Sequence, residues 1–143
     1  MKIGIPVLDE LLGEIPRGKT LTYYIDPEVE GDVFALQTLY ENLENGNRCA
    51  LVVSSMSPQI IKNRFKEFGW NVEVSNFSIV DAYSAYVGSV SDEKYFVKDP
   101  TNVNELDNVI TKAIDENDLI VFNSLSTMLD ICGEDIIEHV ENW

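Results

Sequence analysis

Four carboxylates alternate along one short stretch of the chain, and their type and spacing could do chemistry. Asp26, Glu28, Glu30 and Asp32 follow the apolar segment TLTYYI at 20–25 and precede a helical pattern that starts at residue 33. Oxygen ligands at alternate positions could hold a hard cation such as Ca²⁺. A calcium loop also needs a defined glycine and a distal bidentate glutamate, and that spacing is missing. A solvated turn is therefore favoured over a cation site.

The same stretch lies where a phosphate-binding loop is expected. A strand, a turn and a helix form the setting in which backbone N–H groups and a lysine bind a triphosphate. This turn contains one glycine, Gly31, and no lysine. Its carboxylates would repel a triphosphate at close range. The sequence thus predicts the shape of a phosphate-binding loop without its chemistry.

The charge balance limits the classes of partner. The chain has 143 residues, with 10 Lys and Arg against 25 Asp and Glu, and a formal net charge of −15. Nucleic-acid affinity depends on neutralising phosphates, so a general DNA or RNA binder is not expected. The acidity favours a solvated surface, and the alternative is a basic protein partner. With no apolar run near 20 residues and no signal-peptide pattern, we expect a cytoplasmic protein without membrane contact.

Few other side chains suggest a reactive centre. Cys49 and Cys132 lack CxxC spacing and lie in apolar segments, which predicts buried reduced thiols. His139 is the only histidine, and we expect it at the surface. Asp81 follows a predicted strand, a position where sites occur in α/β folds, and is a minor candidate. We predict no catalytic residue and no metal site.

Alternating strands and helices must position the acidic turn. We predict a helix over 3–13, a strand over 20–25, and a helix over 32–45 that Asp32 caps and Gly46 ends. The order predicts an α/β fold with a mainly parallel sheet covered by helices. The remaining predicted elements are strands at 49–53, 77–81, 95–97 and 118–123, and helices at 57–68, 103–116 and 134–142.

The motifs of the chain resemble those of KaiC-like ATPases of the RecA/RadA superfamily. GIPVLDELLG at 4–13 and IPRG at 15–18 are similar to the family's GIPGLDELLGGGIPRG, and FALQTLY at 34–40 is similar to the LALQFLY that follows its GPPGTGKTT loop. The resemblance implies a three-layer RecA-like P-loop core that lacks the family's C-terminal strands. It implies one truncated domain over 1–143, with an N-terminal helix and turn at 1–19 and an α/β core at 20–143. Further matches, in family order, are SP at 57–58, FGW at 68–70, IVDAYS at 79–84, DPTN at 99–102 and VFNSLST at 121–127.

The resemblance also indicates which functional positions have changed. The family's phosphate-loop lysine falls on Gly31 and its magnesium-binding threonine on Asp32, while loop glycines fall on Ile25, Glu28 and Glu30. The catalytic glutamates fall on Ser55 and Met56, and the Walker-B-type aspartate falls on Asn123. The resemblance therefore implies a pseudo-ATPase without a cofactor, with ATP and Mg²⁺ as a weak alternative. The degenerate phosphate loop comprises Asp26, Pro27, Glu28, Val29, Glu30, Gly31 and Asp32.

Three functional readings follow from the resemblance. The leading hypothesis is a non-catalytic protein-interaction or regulatory module. The alternative is a nucleotide-binding KaiC-like ATPase whose site another subunit completes, and the third is a shortened product without separate activity. In the family a further strand inserts between the phosphate-loop strand and the strand ending at Asn123. We therefore expect a homo-oligomer, or a protein partner that completes the sheet, and we favour a homodimer joined through residues 20–25.

Overall fold

A four-stranded parallel sheet forms the centre of the computed structural model, which describes all 143 residues. Strand β1 (Cys49–Val53) lies between β2 (Phe77–Asp81) and β4 (Leu119–Phe122), and β3 (Tyr95–Phe96) pairs with β2 at one edge. Every residue of β1 is buried. A continuous apolar run is typical of a strand that is covered on both faces, and CALVV at 49–53 is such a run.

Helices cover both faces of the sheet and make the fold three-layered. Helices α2 (Asp32–Glu44) and α3 (Pro58–Glu67) pack on the face that contains Leu51 and Val121. Helices α4 (Val103–Glu116), α5 (Leu125–Cys132) and α6 (Ile136–Asn142) pack on the face that contains Val52. The predicted α/β class with a mainly parallel sheet is confirmed.

The N-terminal segment is tied to the body by backbone contacts. Helix α1 (Pro6–Leu12) is preceded by a turn in which the Asp9 carboxylate accepts hydrogen bonds from the N–H groups of Ile3, at 2.7 Å, and Gly4, at 3.1 Å. Gly4 has a φ of 78°, and a Cβ there would collide with the Glu41 side chain of α2. Asp9 therefore holds the turn before α1, Gly4 permits its close approach to α2, and the Asn42 side chain of α2 donates to the Lys2 carbonyl at 2.9 Å.

The prediction of a strand over 20–25 is wrong. The segment forms no strand, and the sheet contains no fifth member. A strand needs a neighbour that accepts and donates its ladder hydrogen bonds, and the segment has none beside it. Its residues nevertheless alternate, with Leu21, Tyr23 and Ile25 half-buried and the even-numbered residues exposed.

Two smaller differences concern the cap of α2 and an additional helix. Gly31, not Asp32, occupies the N-cap position of α2, and no side chain caps that end. Helix α5 lies where no helix was predicted; Ser124 caps it by accepting from Thr127 N–H, and Gly133 ends it. The Ser57 cap of α3, with Pro58 in its first turn, agrees with the prediction of a helix at that point.

Candidate functional site

The acidic turn at 26–32 uses several of its own backbone donors. Asp26 accepts from the Glu28 N–H through its carboxylate, at 3.1 Å, and from the Val29 N–H through its carbonyl, at 2.9 Å. The Gly31 N–H donates to the Val29 carbonyl at 2.8 Å. A phosphate-binding turn presents these N–H groups to the anion. Here they are bonded within the turn, one of them to a carboxylate.

Close packing at Gly31 further shapes the turn. Gly31 is buried, with an ordinary φ of −93°, and a Cβ built on it would overlap the side chain of Ile25. Glycine is therefore required here by the close approach of Ile25 and not by backbone conformation. A lysine at this position would have to displace Ile25. The donor set and the packing do not fit a bound triphosphate.

The four carboxylates of the turn differ in their exposure to solvent and in their partners. Asp26, Glu28 and Glu30 are exposed, as are Pro27 and Val29. Asp32 forms an ion pair with Arg64 of α3. No three His, Cys, Asp or Glu residues come together in a group that could hold a metal ion.

Arg64 is a participant that sequence reasoning missed. It lies seven residues after the Ser57 cap of α3, and nothing in the local sequence connects it to Asp32. The pair joins the end of the acidic turn to a helix of the same sheet face. Asp32 aligns with the magnesium-binding threonine of the family. In this chain its carboxylate is paired with the guanidinium of Arg64.

Ser55, Met56 and Asn123 lie just beyond the carboxyl ends of β1 and β4. The Asn123 amide donates to the Ser55 hydroxyl at 3.1 Å, which brings two of the three predicted positions together. The Asn123 Oδ1 atom is buried without a hydrogen-bond partner. Met56 packs against the core that α2 and α3 cover. No hydrogen bond or ion pair joins these side chains to the acidic turn, and none of the three can act as a base or carry charge.

Asp81 is fully buried at the carboxyl end of β2, and its carboxylate is saturated by local donors. It accepts from the N–H groups of Tyr83, at 3.0 Å, and Ser84, at 2.9 Å, and from the Ser84 hydroxyl at 2.6 Å. Burial raises the pKa of Asp81, but the hydrogen bonds from Ser84 and its neighbours outweigh it, and the net pKa is lowered. Asp81 therefore organises the turn after β2.

The other ionisable side chains with a perturbed pKa or a predicted role include Asp118, the two cysteines and His139. At the start of β4, hydrogen bonds from Arg48 hold the pKa of Asp118 below its usual value, and Arg17 lies 3.5 Å from the same carboxylate. Cys49 is buried and Cys132 half-buried, both are free thiols, and burial raises the pKa of Cys49 to about 12. His139 is half-buried, and its Nδ1 lies 3.3 Å from the Asp107 carboxylate.

None of the helices combines the length and the apolar character that a membrane span needs.

The fold and the position of the turn define a RecA-like α/β domain of the P-loop type. The sequence model of the KaiC ATPase family matches residues 1–131, and the chain belongs to that family. It is 32% identical over 136 residues to a UPF0273 protein of Thermotoga maritima, covering 90% of this chain and 56% of the relative. A UPF0273 protein of Methanopyrus kandleri is 34% identical over 119 residues, covering 79% and 47%. The chain thus spans about half the length of the curated relatives it matches.

Proposed function

We propose that this chain is a non-catalytic member of the KaiC family that acts as a protein-interaction or regulatory module. The observation that carries the proposal is the hydrogen bonding of the acidic turn, in which the Asp26 carboxylate occupies a backbone donor that a phosphate would need. Carboxylates repel a triphosphate, and there is no lysine in the turn to offset them.

The positions at the strand ends support the same proposal. Phosphoryl transfer relies on positioning and on charge that stabilises the transferring group, with a residue that orients the nucleophile. Ser55, Met56 and Asn123 supply a hydroxyl, a thioether and an amide. Asn123 donates to Ser55, so the two polar groups contact each other. This set supplies no base and no negative charge for a metal ion.

The open edge of the sheet supports a role in protein contacts. Strand β4 pairs only with β1, so one of its two backbone edges has no strand beside it. Exposed apolar edges favour association with another strand. We therefore propose a partner that completes the sheet, with no nucleic acid involved because the net charge is −15.

Phosphate release from ATP and Mg²⁺ tests the absence of catalysis. We expect a release rate that does not rise with protein concentration and does not differ between the wild type and Asp32→Ala. A rate that scales with the wild-type protein and is lost in the variant would contradict the proposal. Release that appears only when a second KaiC-family chain is added would favour a site shared between subunits.

A further inference from the structure

The connection between α2 and β1 contains the only asparagine of the chain that glycine follows, Asn45 before Gly46. Without a side chain, glycine leaves its backbone nitrogen open to approach from the preceding side chain. That nitrogen can attack the asparagine Cγ, which forms a five-membered imide and releases the side-chain nitrogen as ammonia. Water then opens the imide at either carbonyl to give aspartate or isoaspartate. The overall reaction exchanges an amide for an acid and needs only water.

The folded conformation of Asn45 opposes this reaction. Ring closure needs the Gly46 nitrogen and the Asn45 Cβ on the same side of the Cα–C bond, and the ψ of 5° at Asn45 sets them apart. The Gly46 N–H donates to the Leu43 carbonyl at 3.0 Å. The Asn45 amide donates to the Glu41 carbonyl at 2.7 Å and to the Glu41 carboxylate at 3.1 Å. Opening of the last turn of α2 therefore releases the nucleophile and the amide together.

Asn45 nevertheless lies where the chain can open at little cost. Glu44, Asn45 and Gly46 are exposed, and a Cβ built on Gly46 would meet no atom within 4 Å. The last turn of α2 contains no basic side chain that could bind its free carbonyl groups. Helix ends with exposed backbone hydrogen bonds open far more often than buried core elements. The reaction therefore needs a local opening and not the unfolding of the whole domain.

We propose that Asn45 is a site of spontaneous deamidation, that opening of the last turn of α2 sets its rate, and that the product weakens the same turn. The rate in the native chain is then the rate in the open turn multiplied by the fraction of molecules in which the turn is open. In urea the restraints are absent, so Asn45 reacts at its full rate. The acidic turn lies at the other end of α2, so this inference is independent of the proposed function.

The product weakens the turn through both hydrogen bonding and charge. An aspartate carboxylate has no N–H to donate, so both hydrogen bonds to Glu41 are lost. The negative end of the helix macrodipole lies at the same position and disfavours the new charge. Glu41 carries a carboxylate one turn earlier, and like charges at this spacing are destabilising. Because the ammonia has left, the change does not reverse.

Peptide mass mapping of the purified chain during incubation at mildly alkaline pH tests the site. We expect Asn45 to convert before any other asparagine, and at least about tenfold more slowly in the native chain than in urea. Glu41→Gln keeps a side-chain acceptor for the Asn45 amide, whereas Glu41→Ala removes it, so native Glu41→Ala should convert faster than native Glu41→Gln. Equal rates in the native chain and in urea, earlier conversion of another asparagine, or equal rates in the two Glu41 variants would overturn the proposal.

Urea unfolding of Asn45→Asp, which has the composition of one product, tests the effect on the turn. We expect a lower urea midpoint than that of the wild type at pH 7, and a smaller difference below pH 4, where the new carboxylate is protonated. Asn104→Asp makes the same change in the exposed first turn of α4, where the helix dipole favours negative charge, so its midpoint should not fall. A wild-type midpoint for Asn45→Asp, or an equal fall for Asn104→Asp, would overturn the proposed weakening of the turn.

Discussion

The carboxylates of this chain take opposite roles that depend on their surroundings. Asp81 is buried and accepts three hydrogen bonds from Tyr83 and Ser84, so it stabilises the turn after β2. Asp26 is exposed and accepts from the Glu28 N–H, within a turn in which Glu28 and Glu30 also face solvent. The first arrangement is structural, while the second makes the turn unsuited to an anion.

The role of Asp81 predicts a defined dependence of stability on pH. Because its pKa is lower in the folded state than in the unfolded chain, its contribution is fully present above the unfolded value of about 4 and is lost as pH falls through the folded value. We expect Asp81→Asn to lower the free energy of unfolding by about 2 kcal/mol at pH 7. Urea titrations should show this difference shrinking below pH 4. The exposed Asp130→Asn is the control, and a constant difference down to pH 2 would contradict the assignment.

Gly31 allows a second test at the residue scale. A Cβ at this position overlaps Ile25, so we expect Gly31→Ala to lower the free energy of unfolding by about 1–3 kcal/mol. Ile25→Ala in the same chain removes the overlap, and the double variant should be less destabilised than the sum of the two single changes. Thermal unfolding of the four proteins measures this coupling, and additive effects would mean that the two residues do not constrain each other.

At the scale of elements, local signals predicted most of the fold. Ser57 with Pro58 and the apolar run at 49–53 specify their elements through contacts within a few residues, and those elements formed where expected. The segment 20–25 did not form a strand, because a strand depends on a distant neighbour that local composition cannot supply. Helix α5 is eight residues long, and only its Ser124 cap and Gly133 could have indicated it. The Asp32–Arg64 pair joins two helices, so no local pattern could predict it.

That ion pair predicts coupling between α2 and α3. Its side chains are about one quarter to one third exposed, so solvent weakens the interaction. In a double-mutant cycle of Asp32→Asn and Arg64→Met we expect a coupling of about 0.5–1 kcal/mol that falls as salt is raised. Denaturant unfolding at low and high salt measures it. The Lys66→Met change in the exposed last turn of α3 is a matched control, and it should show no coupling to Asp32.

At the scale of the whole molecule, the chain combines a KaiC-family core with an acidic surface and an open sheet edge. The four-stranded sheet ends at the two-residue strand β3 on one side and at β4 on the other. The acidic turn and the strand-end side chains at Ser55 and Asn123 lack the charges that nucleotide chemistry needs. These features are the basis for the proposal that the chain acts through protein contacts.

Nucleotide binding measured on the purified chain tests this account most directly. A ligand that binds only the native state stabilises it by about 2.7 kcal/mol at a concentration of 100 times Kd. The midpoint temperature of unfolding rises as a result. We predict that millimolar ATP with Mg²⁺ changes the midpoint no more than the same concentration of Mg²⁺ with inorganic tripolyphosphate, and that calorimetry shows no saturable heat. A saturable, ATP-specific rise in the midpoint that is lost in Gly31→Ala or Asp32→Ala would contradict it.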